Sequence, residues 1–272
     1  LLFHMIDTAN VAILAYERIL SDQAKGIFSK AMGLSTDETS KWTGVLAGCH
    51  DLGKATPGFQ RMVVQHTQVL KEIGLSVSNV EKDHALMTAI VMHKVLSEFL
   101  PNERGLFSKP EMISRTLGAH HGRFLHPAQL SKVQETDIGG DGWKAIQRAL
   151  FDRLLAVLKV SGRPSPSSLT DEERSAFVML LAGLTTFSDW VASNLDYFPF
   201  MMEFPTVEEY QRISATKAEH ALEALHFHRP SNGGSIPPDF SQMFPQIGKP
   251  NDLQKACIEV MTEQRAPGLM VI

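Results

Sequence analysis

Apolar residues recur along most of the chain at spacings of three and four, which is the pattern of helices with one buried face. The first such face runs from Val11 to Ile19 and follows Asp7 and Thr8, either of which can cap a helix. Further helices are predicted over residues 36–51, 57–73, 81–99, 110–122, 142–160, 171–194 and 206–228. The polar stretch SGRPSPSSL is predicted to be a loop, because its prolines and serines disfavour regular structure. The pattern therefore predicts one all-α domain over residues 1–228.

The pattern changes after residue 228. The stretch RPSNGGSIPPDFSQMFPQIGKP, residues 229–250, is rich in Gly, Pro and Ser and is predicted to be a linker. It is followed by a predicted helix, PNDLQKACIEVMTEQ, and by GLMVI, which is typical of the first strand of a parallel sheet. Residues 251–272 are therefore interpreted as the truncated start of a second domain, of the α/β class.

Composition narrows the function classes. Hydrophobic residues make up 43% of the 272 residues, which is enough for a sizeable core. The formal net charge of −4 argues against nucleic-acid binding through bulk charge, although bound metal ions would supply positive charge locally. The widely separated Cys49 and Cys257 favour a reducing cytoplasm. No signal peptide and no uninterrupted apolar run of about 18 residues is found, so no membrane span is predicted. The missing initial Met predicts a piece of a longer protein.

Side chains that can bind metals occur within several of the apolar helical segments. Asp51 follows a histidine in WTGVLAGCHDLGK, and Asp189 lies in TTFSDWVASN. Buried carboxylates and imidazoles are costly unless they are paired or bind a metal. The histidines in such apolar settings are His4, His50, His84, His120 and His121. His93 is predicted to lie in the core or at the surface, and the surface is predicted for His66, His126, His220, His226 and His228.

Taken singly, each histidine in an apolar setting is more often a hydrogen-bonded core residue than a metal ligand. As a set, these five imidazoles and two carboxylates are hard to satisfy by hydrogen bonds alone. Such ligands suit Mn, Fe, Co, Ni or Zn better than Mg. One ion would leave ligands over, whereas two ions roughly 3.5–4 Å apart would use all of them. Asp51, next to a histidine, is the best candidate to bridge two ions.

The ordered set of these residues on successive helices resembles the HD phosphohydrolase superfamily. More closely, HDLGKATPGFQ, GAHHG and SDWVASN together resemble the HD nuclease domain of the CRISPR-associated nuclease-helicase of type I systems. This resemblance covers residues 1–228. The segment PNDLQKACIEV resembles the glutamine motif of superfamily 2 helicases, in which Gln254 would read adenine. The phosphate-binding loop that should follow is not in this chain, so no ATPase activity is expected from it.

The resemblance implies an all-helical HD-domain bundle, followed by a linker and the beginning of a RecA-like domain. It implies two-metal hydrolysis of phosphodiester bonds in single-stranded DNA, with Mn, Fe, Co or Ni as the candidate ions and Mg admissible. Catalytic roles fall to Asp51 and Lys54. The first ion would be held by His4, His50, Asp51 and Asp189, and the second by Asp51, His84, His120 and His121.

The resemblance also implies partners. These are single-stranded DNA, the helicase domain of the same chain, an RNA-guided CRISPR surveillance complex and an inhibitor protein. ATP would serve only the helicase part. No membrane partner is expected.

Other interpretations remain open for single residues and for the whole chain. Lys54 either approaches the scissile phosphate or is a surface lysine at a helix end. Arg123 either contacts phosphate or is solvated. Trp190 is interpreted as a core residue that supports the helix of Asp189, with base stacking as the alternative. For the chain, the alternatives are an HD enzyme that hydrolyses nucleotides or cyclic dinucleotides, and a docking module without activity.

Overall fold

The computed structural model of the chain describes residues 1–80, 82–100, 109–165, 168–201, 205–227 and 239–263. The chain divides into two compact units, Leu1–Arg229 and Pro230–Ile272.

The first unit is built from helices, and no strand occurs in the part of the chain that the structure describes. The all-α prediction is confirmed. A 3-10 helix, Cys49–Lys54, lies between the third and fourth α-helices. The α-helices are α1 (Leu2–Arg18), α2 (Asp22–Met32), α3 (Thr36–Gly48), α4 (Pro57–Gln60), α5 (Val64–Glu72), α6 (His84–Phe99), α7 (Lys109–Leu117), α8 (Pro127–Leu130), α9 (Glu135–Ile138), α10 (Asp141–Val157), α11 (Asp171–Ala192) and α12 (Val207–Ala224).

Helix α1 lies at the centre of this unit and packs against α3, α11 and α12. Its residues from Met5 to Ala12 are all buried, including the polar ones. The approach to α3 is close, because a Cβ at Gly48 would lie 2.6 Å from the Met5 carbonyl oxygen. Only glycine fits such a contact, and it brings the N-terminal turns of α1 beside the 3-10 helix.

Aromatic residues from α2, α3, α10 and α11 fill the core of this unit. Trp42 packs against Phe151 with ring centroids 6.4 Å apart, and Phe28 packs edge-on against Phe177 at 5.3 Å. Complete burial of side chains of this size is worth about 1.5–3 kcal/mol each. This core fixes the helices α2, α3, α10 and α11 around α1.

Several predicted boundaries are wrong. Helix α1 begins at Leu2, so Asp7 lies in its second turn and is not its cap. Helix α2 was not predicted; Ser21 caps it and Gly33, at φ 64°, ends it. The helix predicted over residues 57–73 is split into α4 and α5, and α5 buries none of its residues. With no face to pack, the chain gains nothing from continuing one helix through residues 61–63.

Helix α11 is long and apolar enough by length and composition to cross a membrane. In the structure it packs against α1, α2, α3 and α7, as a core helix of the first unit. Of its most apolar window, 44% is buried. Its other face is exposed.

The second unit holds α13 (Phe240–Met243) and α14 (Asp252–Glu263). Helix α14 coincides with the helix predicted after the Pro-rich stretch. Its first turn is capped mutually by Asn251 and Gln254, since each backbone N–H donates to the other side chain at 2.8–2.9 Å. The strand predicted over residues 268–272 lies outside the described residues.

Candidate metal centre

The structure places all seven predicted ligand side chains in one cluster. They come from five separate segments: α1, the 3-10 helix, the first residue of α6, the turn after α7, and the last turn of α11. In chain order, they are His4, His50, Asp51, His84, His120, His121 and Asp189.

Asp51 lies at the centre of the cluster, and its two carboxylate oxygens face different histidines. Oδ2 is 3.6 Å from Nε2 of His4 and 3.5 Å from Nε2 of His50. Oδ1 is 3.5 Å from Nε2 of His84 and 4.0 Å from Nε2 of His120. The carboxylate is 3% exposed. A carboxylate presented in this way can serve two ions, one on each side.

Each side has donor atoms close enough to share one ion. His4, His50 and Asp51 form one such group and His84, His120 and His121 another, with the donor atoms of each within 4.8 Å of one another. The Nε2 atoms of His84 and His121 are 2.9 Å apart. That separation suits two imidazoles bound to one ion at about 2.0–2.1 Å.

Asp189 completes the side that contains His4. Its Oδ1 lies 3.2 Å from Nε2 of His4 and 3.3 Å from Nε2 of His50. Helix α11 thus adds a carboxylate to a group that comes otherwise from the first 51 residues.

Two of the histidines have a buried ring nitrogen that faces the cluster and forms no hydrogen bond. Nδ1 of His50 lies 2.8 Å from the Ala47 carbonyl oxygen, and Nδ1 of His120 lies 2.7 Å from that of Leu117. A ring nitrogen that faces a carbonyl carries the proton, so the lone pair of the other nitrogen points inward. Both Nε2 atoms are buried and have no hydrogen-bond partner. Such orphaned acceptors fit bound cations, because leaving them unpaired is costly.

The two carboxylates are held in their ionised form. Burial acts to raise the pKa of Asp189, but contacts with His4 and His50 outweigh it and hold that pKa well below its usual range. Burial also opposes ionisation of Asp51, whereas His50 and Lys54 lower its pKa. Both groups are therefore available as anionic ligands.

The pKa values of the histidines are shifted in different directions by their surroundings. Burial, together with the charge of His50, lowers the pKa of His120 to about 4, and burial lowers the pKa of His84. These two rings are neutral near pH 7, as metal ligands must be. For His50, burial lowers the pKa, but Asp189 and Asp51 outweigh that effect and raise it. Neutral imidazoles with carboxylates form a donor set for Mn, Fe, Co, Ni or Zn.

A contact between the 3-10 helix and α6 fixes the HD pair. Thr88 donates its hydroxyl proton to the His50 carbonyl oxygen at 2.7 Å, and its oxygen accepts from the Gly53 backbone N–H at 2.9 Å. A Cβ at Gly53 would lie 2.1 Å from the His84 carbonyl oxygen. Glycine is thus required for the close approach. The role of Thr88 was missed in the sequence, where the only signal is a polar residue one turn after His84.

Four further residues that the sequence analysis considered differ in where they lie. Lys54 donates to Asp51 Oδ2 at 2.5 Å, so its ammonium group faces the cluster. Trp190 is 73% exposed, and the prediction of a core tryptophan is wrong. Arg123 is exposed and forms no ion pair with any described residue. Asp7 is buried and accepts a hydrogen bond from Tyr210 at 2.8 Å.

The histidines predicted at the surface lie there wherever the structure describes them, and His93, predicted to lie in the core or at the surface, is partly exposed. His93 has a 44% exposed side chain and lies 3.4 Å from Glu111. Residue 228 lies outside the described residues. The others are exposed: His66, His126, His220 and His226.

Comparison with known proteins identifies the family of the chain and solved structures with a similar fold. The family model described as Cas3, HD domain, matches residues 1–198. The chain is 29% identical over 276 residues to the CRISPR-associated endonuclease/helicase Cas3 of Thermus thermophilus, covering 100% of this chain and 29% of that protein. The chain therefore spans less than a third of the length of this relative.

Solved structures share the architecture. The crystal structure of the Thermus thermophilus Cas3 HD domain in the presence of Ni²⁺ is similar with a TM-score of 0.62 and 26% identity, over 82% of this chain and 84% of that one. A chain of a CRISPR RNA-guided surveillance complex in a pre-nicking state, 20% identical, has a TM-score of 0.64 over 82% of this chain and 27% of its own. The latter likeness concerns the fold alone.

Proposed function

Because the chain belongs to the Cas3 HD domain family, we propose that it is a metal-dependent nuclease that cuts single-stranded DNA in type I CRISPR interference. The observation that carries this proposal is the position of Asp51, whose two oxygens face separate groups of histidines. A carboxylate shared by two cations about 3.5–4 Å apart is a recurrent arrangement for phosphodiester hydrolysis.

The residues present fit two ions. His4, His50, Asp51 and Asp189 would hold the first, and Asp51, His84, His120 and His121 the second. Bound ions of this kind supply an activated water and neutralise charge that develops on the phosphate. The buried backbone contacts of His50 and His120 keep their rings in the binding orientation.

Lys54 is the proposed catalytic cation of the protein itself. Its Nζ is held by Asp51 and lies 5.7 Å from the centroid of the Phe59 ring, while its side chain remains 30% exposed. A phosphate that approaches Asp51 therefore meets this ammonium group. Lys54 can offset negative charge there or give a proton to the leaving oxygen.

The wider assembly belongs to the same proposal. Residues 1–228 form the nuclease domain, residues 229–250 the linker, and residues 251–272 the start of a helicase domain. That helicase, using ATP, would feed the strand to the centre after recruitment by an RNA-guided surveillance complex in the cytoplasm. An inhibitor protein is a further proposed partner. Mn, Fe, Co and Ni are the proposed ions, and Mg is admissible.

The first test is a cleavage assay with circular single-stranded DNA and a matched duplex. The chain is treated with EDTA, and Mn, Co, Ni, Mg or Zn is then added back. We expect metal-restored cutting of the single strand, with the duplex spared. Hydrolysis of nucleotides or cyclic dinucleotides without any cutting would instead establish the phosphohydrolase alternative, and inactivity in both assays would favour a docking module.

Asp51→Ala is the variant to compare with the wild type in the same cleavage assay. It removes ligands from both sides of the cluster at once, so we expect cleavage to fall by at least about 1,000-fold. Circular dichroism should show an unchanged helix content. Cutting at the wild-type rate in a folded Asp51→Ala protein would refute the proposed centre.

A further inference from the structure

Thr88 links the two sides of the metal centre through the backbone. It lies on α6 one turn after His84, a proposed ligand of the second ion. Its hydroxyl donates to the carbonyl oxygen of His50, a proposed ligand of the first ion, at 2.7 Å, and accepts from the Gly53 backbone N–H at 2.9 Å. Thr88 is fully buried, so water does not compete for either contact. Because Asp51 lies between His50 and Gly53, the hydroxyl holds the backbone on both sides of it.

Thr186 makes the reverse link. It lies on α11 one turn before Asp189, a proposed ligand of the first ion. Its hydroxyl lies 2.9 Å from the carbonyl oxygen of His120, a proposed ligand of the second ion, and 3.0 Å from that of Ala182. The contact with Ala182 stays within α11, whereas the contact with His120 reaches the turn after α7. Each threonine thus joins the helix that carries a ligand of one ion to the backbone of a ligand of the other.

The turn that carries His120 is held from both sides. Nδ1 of His120 lies 2.7 Å from the Leu117 carbonyl oxygen, so the ring moves with its own backbone. On the side of α6, a Cβ at Gly118 would lie 2.8 Å from the Cβ of Ala89, which leaves no space for the turn to shift that way. On the side of α11, the turn is held by Thr186. The position of the His120 ring therefore follows the positions of α6 and α11.

The neighbouring threonine makes no such link. Thr185 is fully buried, and its hydroxyl has no hydrogen-bond partner in the part of the chain that the structure describes. Thr185 and Thr186 are adjacent on one helix and carry the same chemical group. The link to His120 is therefore a property of position 186 and not of hydroxyl groups on α11 in general.

We propose that Thr88 and Thr186 are positioning residues that make the binding of the two metal ions cooperative. The proposal rests on the proposed two-ion centre. When α11 is fixed by ligation of the first ion, Thr186 also fixes the backbone of His120 for the second. When α6 is fixed by ligation of the second ion, Thr88 also fixes the backbone of His50 for the first. Such coupling is reciprocal, so each ion raises the affinity for the other by the same factor, typically about 5- to 150-fold.

The test is titration of the metal-free protein with Mn²⁺ by isothermal titration calorimetry. Thr186→Val keeps the shape of the side chain and removes the hydroxyl. We expect the affinity of the second binding step to fall by about 5- to 150-fold and that of the first step to change by less than about threefold. Sharing of Asp51 and repulsion between the two cations also couple the ions, but they are the same in both proteins. Thr186→Ser keeps the hydroxyl and should bind both ions like the wild type.

Thr185→Val is the matched control, because it makes the same chemical change at a hydroxyl without a partner. It should leave both binding steps unchanged. Electron paramagnetic resonance at one equivalent of Mn²⁺ gives a second readout, since an isolated ion and a pair of coupled ions have different spectra. We expect a larger signal from isolated ions in Thr186→Val than in the wild type or in Thr185→Val.

Thr88→Val tests the second bridge. Since Thr88 holds the backbone on both sides of the shared ligand Asp51, its loss should weaken both binding steps. Circular dichroism of the metal-free variants shows whether each is folded, and Thr186→Ala replaces Thr186→Val if the valine is not accommodated. Equal losses in Thr185→Val and Thr186→Val, or a loss in Thr186→Ser as large as that in Thr186→Val, would overturn the proposal and leave Thr186 as a packing residue.

These titrations contain no DNA, so they separate the proposal from the nuclease function. If Thr186→Val left the ratio of the two dissociation constants unchanged while the wild type cut DNA, the threonine bridges alone would be refuted. A weakened second step in Thr186→Val, together with a wild type that cuts no DNA, would sustain the bridges and refute the nuclease proposal. A wild type that binds only one ion would refute both the bridges and the two-ion centre.

Discussion

His4 and Asp7 lie one turn apart on α1, and each belongs to a different cluster of buried polar side chains. Around His4, nitrogens and carboxylate oxygens from five segments converge, and two buried Nε2 atoms have no hydrogen-bond partner. Around Asp7, the partners come from α12. Tyr210 donates to Asp7 at 2.8 Å, and Asn10 pairs with both Ser214 and Gln211.

The two clusters differ in the ionisation of their carboxyl groups. Around Asp7, Oδ2 accepts from Tyr210 and Asn10 pairs with Ser214 and Gln211, although the buried Oδ1 of Asp7 has no hydrogen-bond partner; these contacts tie α1 to α12. Burial raises the pKa of Asp7 in spite of hydrogen bonds from Ser214 and Tyr210. The pKa values of Asp51 and Asp189 are lowered instead, by neighbouring histidines and Lys54. Buried carboxylates that are kept ionised among several histidines indicate an external cation, whereas a buried carboxyl group whose pKa is raised does not.

The largest expected contrast comes from removing one charge in each cluster. Asp189→Asn removes an anionic ligand, so we expect affinity for Mn²⁺ or Ni²⁺ to fall by at least about 100-fold, since even outer-shell changes cost roughly 10- to 100-fold. Asp7→Asn is the same chemical change one turn from His4, and it should alter the metal affinity by less than about threefold. Isothermal titration calorimetry of both variants with the metal measures these affinities. Equal losses would show that the two clusters are one.

A stability effect of intermediate size is expected from the second cluster. Tyr210→Phe removes the hydroxyl that donates to buried Asp7 but keeps the ring stacked on Phe3, whose centroid is 3.9 Å away. The free energy of unfolding should fall by about 1–3 kcal/mol, which is the cost of a buried acceptor without its donor. Denaturant unfolding in EDTA checks this value. Metal affinity should not change, and a matching loss of affinity would contradict the division.

The smallest effect is a pH dependence. The pKa of Asp7 is raised by burial above its ordinary value of 3.8, so the folded protein binds this proton more tightly than the unfolded chain does. Relative to Asp7→Asn, the wild type should therefore gain stability as pH falls through the folded-state pKa toward 3.8, with no further gain below it. Unfolding of both proteins across this range, without added metal, measures the difference. If the wild type instead lost stability relative to Asp7→Asn as the pH falls over this range, folding would lower the pKa of Asp7 and not raise it.

The sequence was sufficient to predict the class of the fold, because the helical periodicity is strong in the core segments. Helix α2 was missed, since it has few apolar residues and Gly26 interrupts them. The single helix predicted over residues 57–73 was wrong because Met62 and Val64 are exposed although they are apolar. Hydrophobic pattern predicts burial only where a packing partner exists, and that partner is not encoded locally.

The same limit applies to the candidate site. Candidate ligands could be picked out because their polar side chains interrupt apolar runs. The partners of Asp7 and the exposure of Trp190 could not be predicted, because they depend on packing against elements far along the chain. The residue that pairs with Asp7 is 203 positions away. Trp190 looks like a core residue in its own helix, and only the packing of α11 leaves its face uncovered.

The wide spacing of the cluster along the chain has a consequence for protein synthesis. A growing chain emerges from the ribosome N-terminus first. His4, His50 and Asp51 are made early, but Asp189 follows only after most of the first unit has been translated. The cluster is thus complete only when α11 has been made and has docked against α1. A nascent or prematurely terminated chain lacks an anionic ligand, so the order of translation itself would keep a nuclease of this kind inactive until its domain is finished.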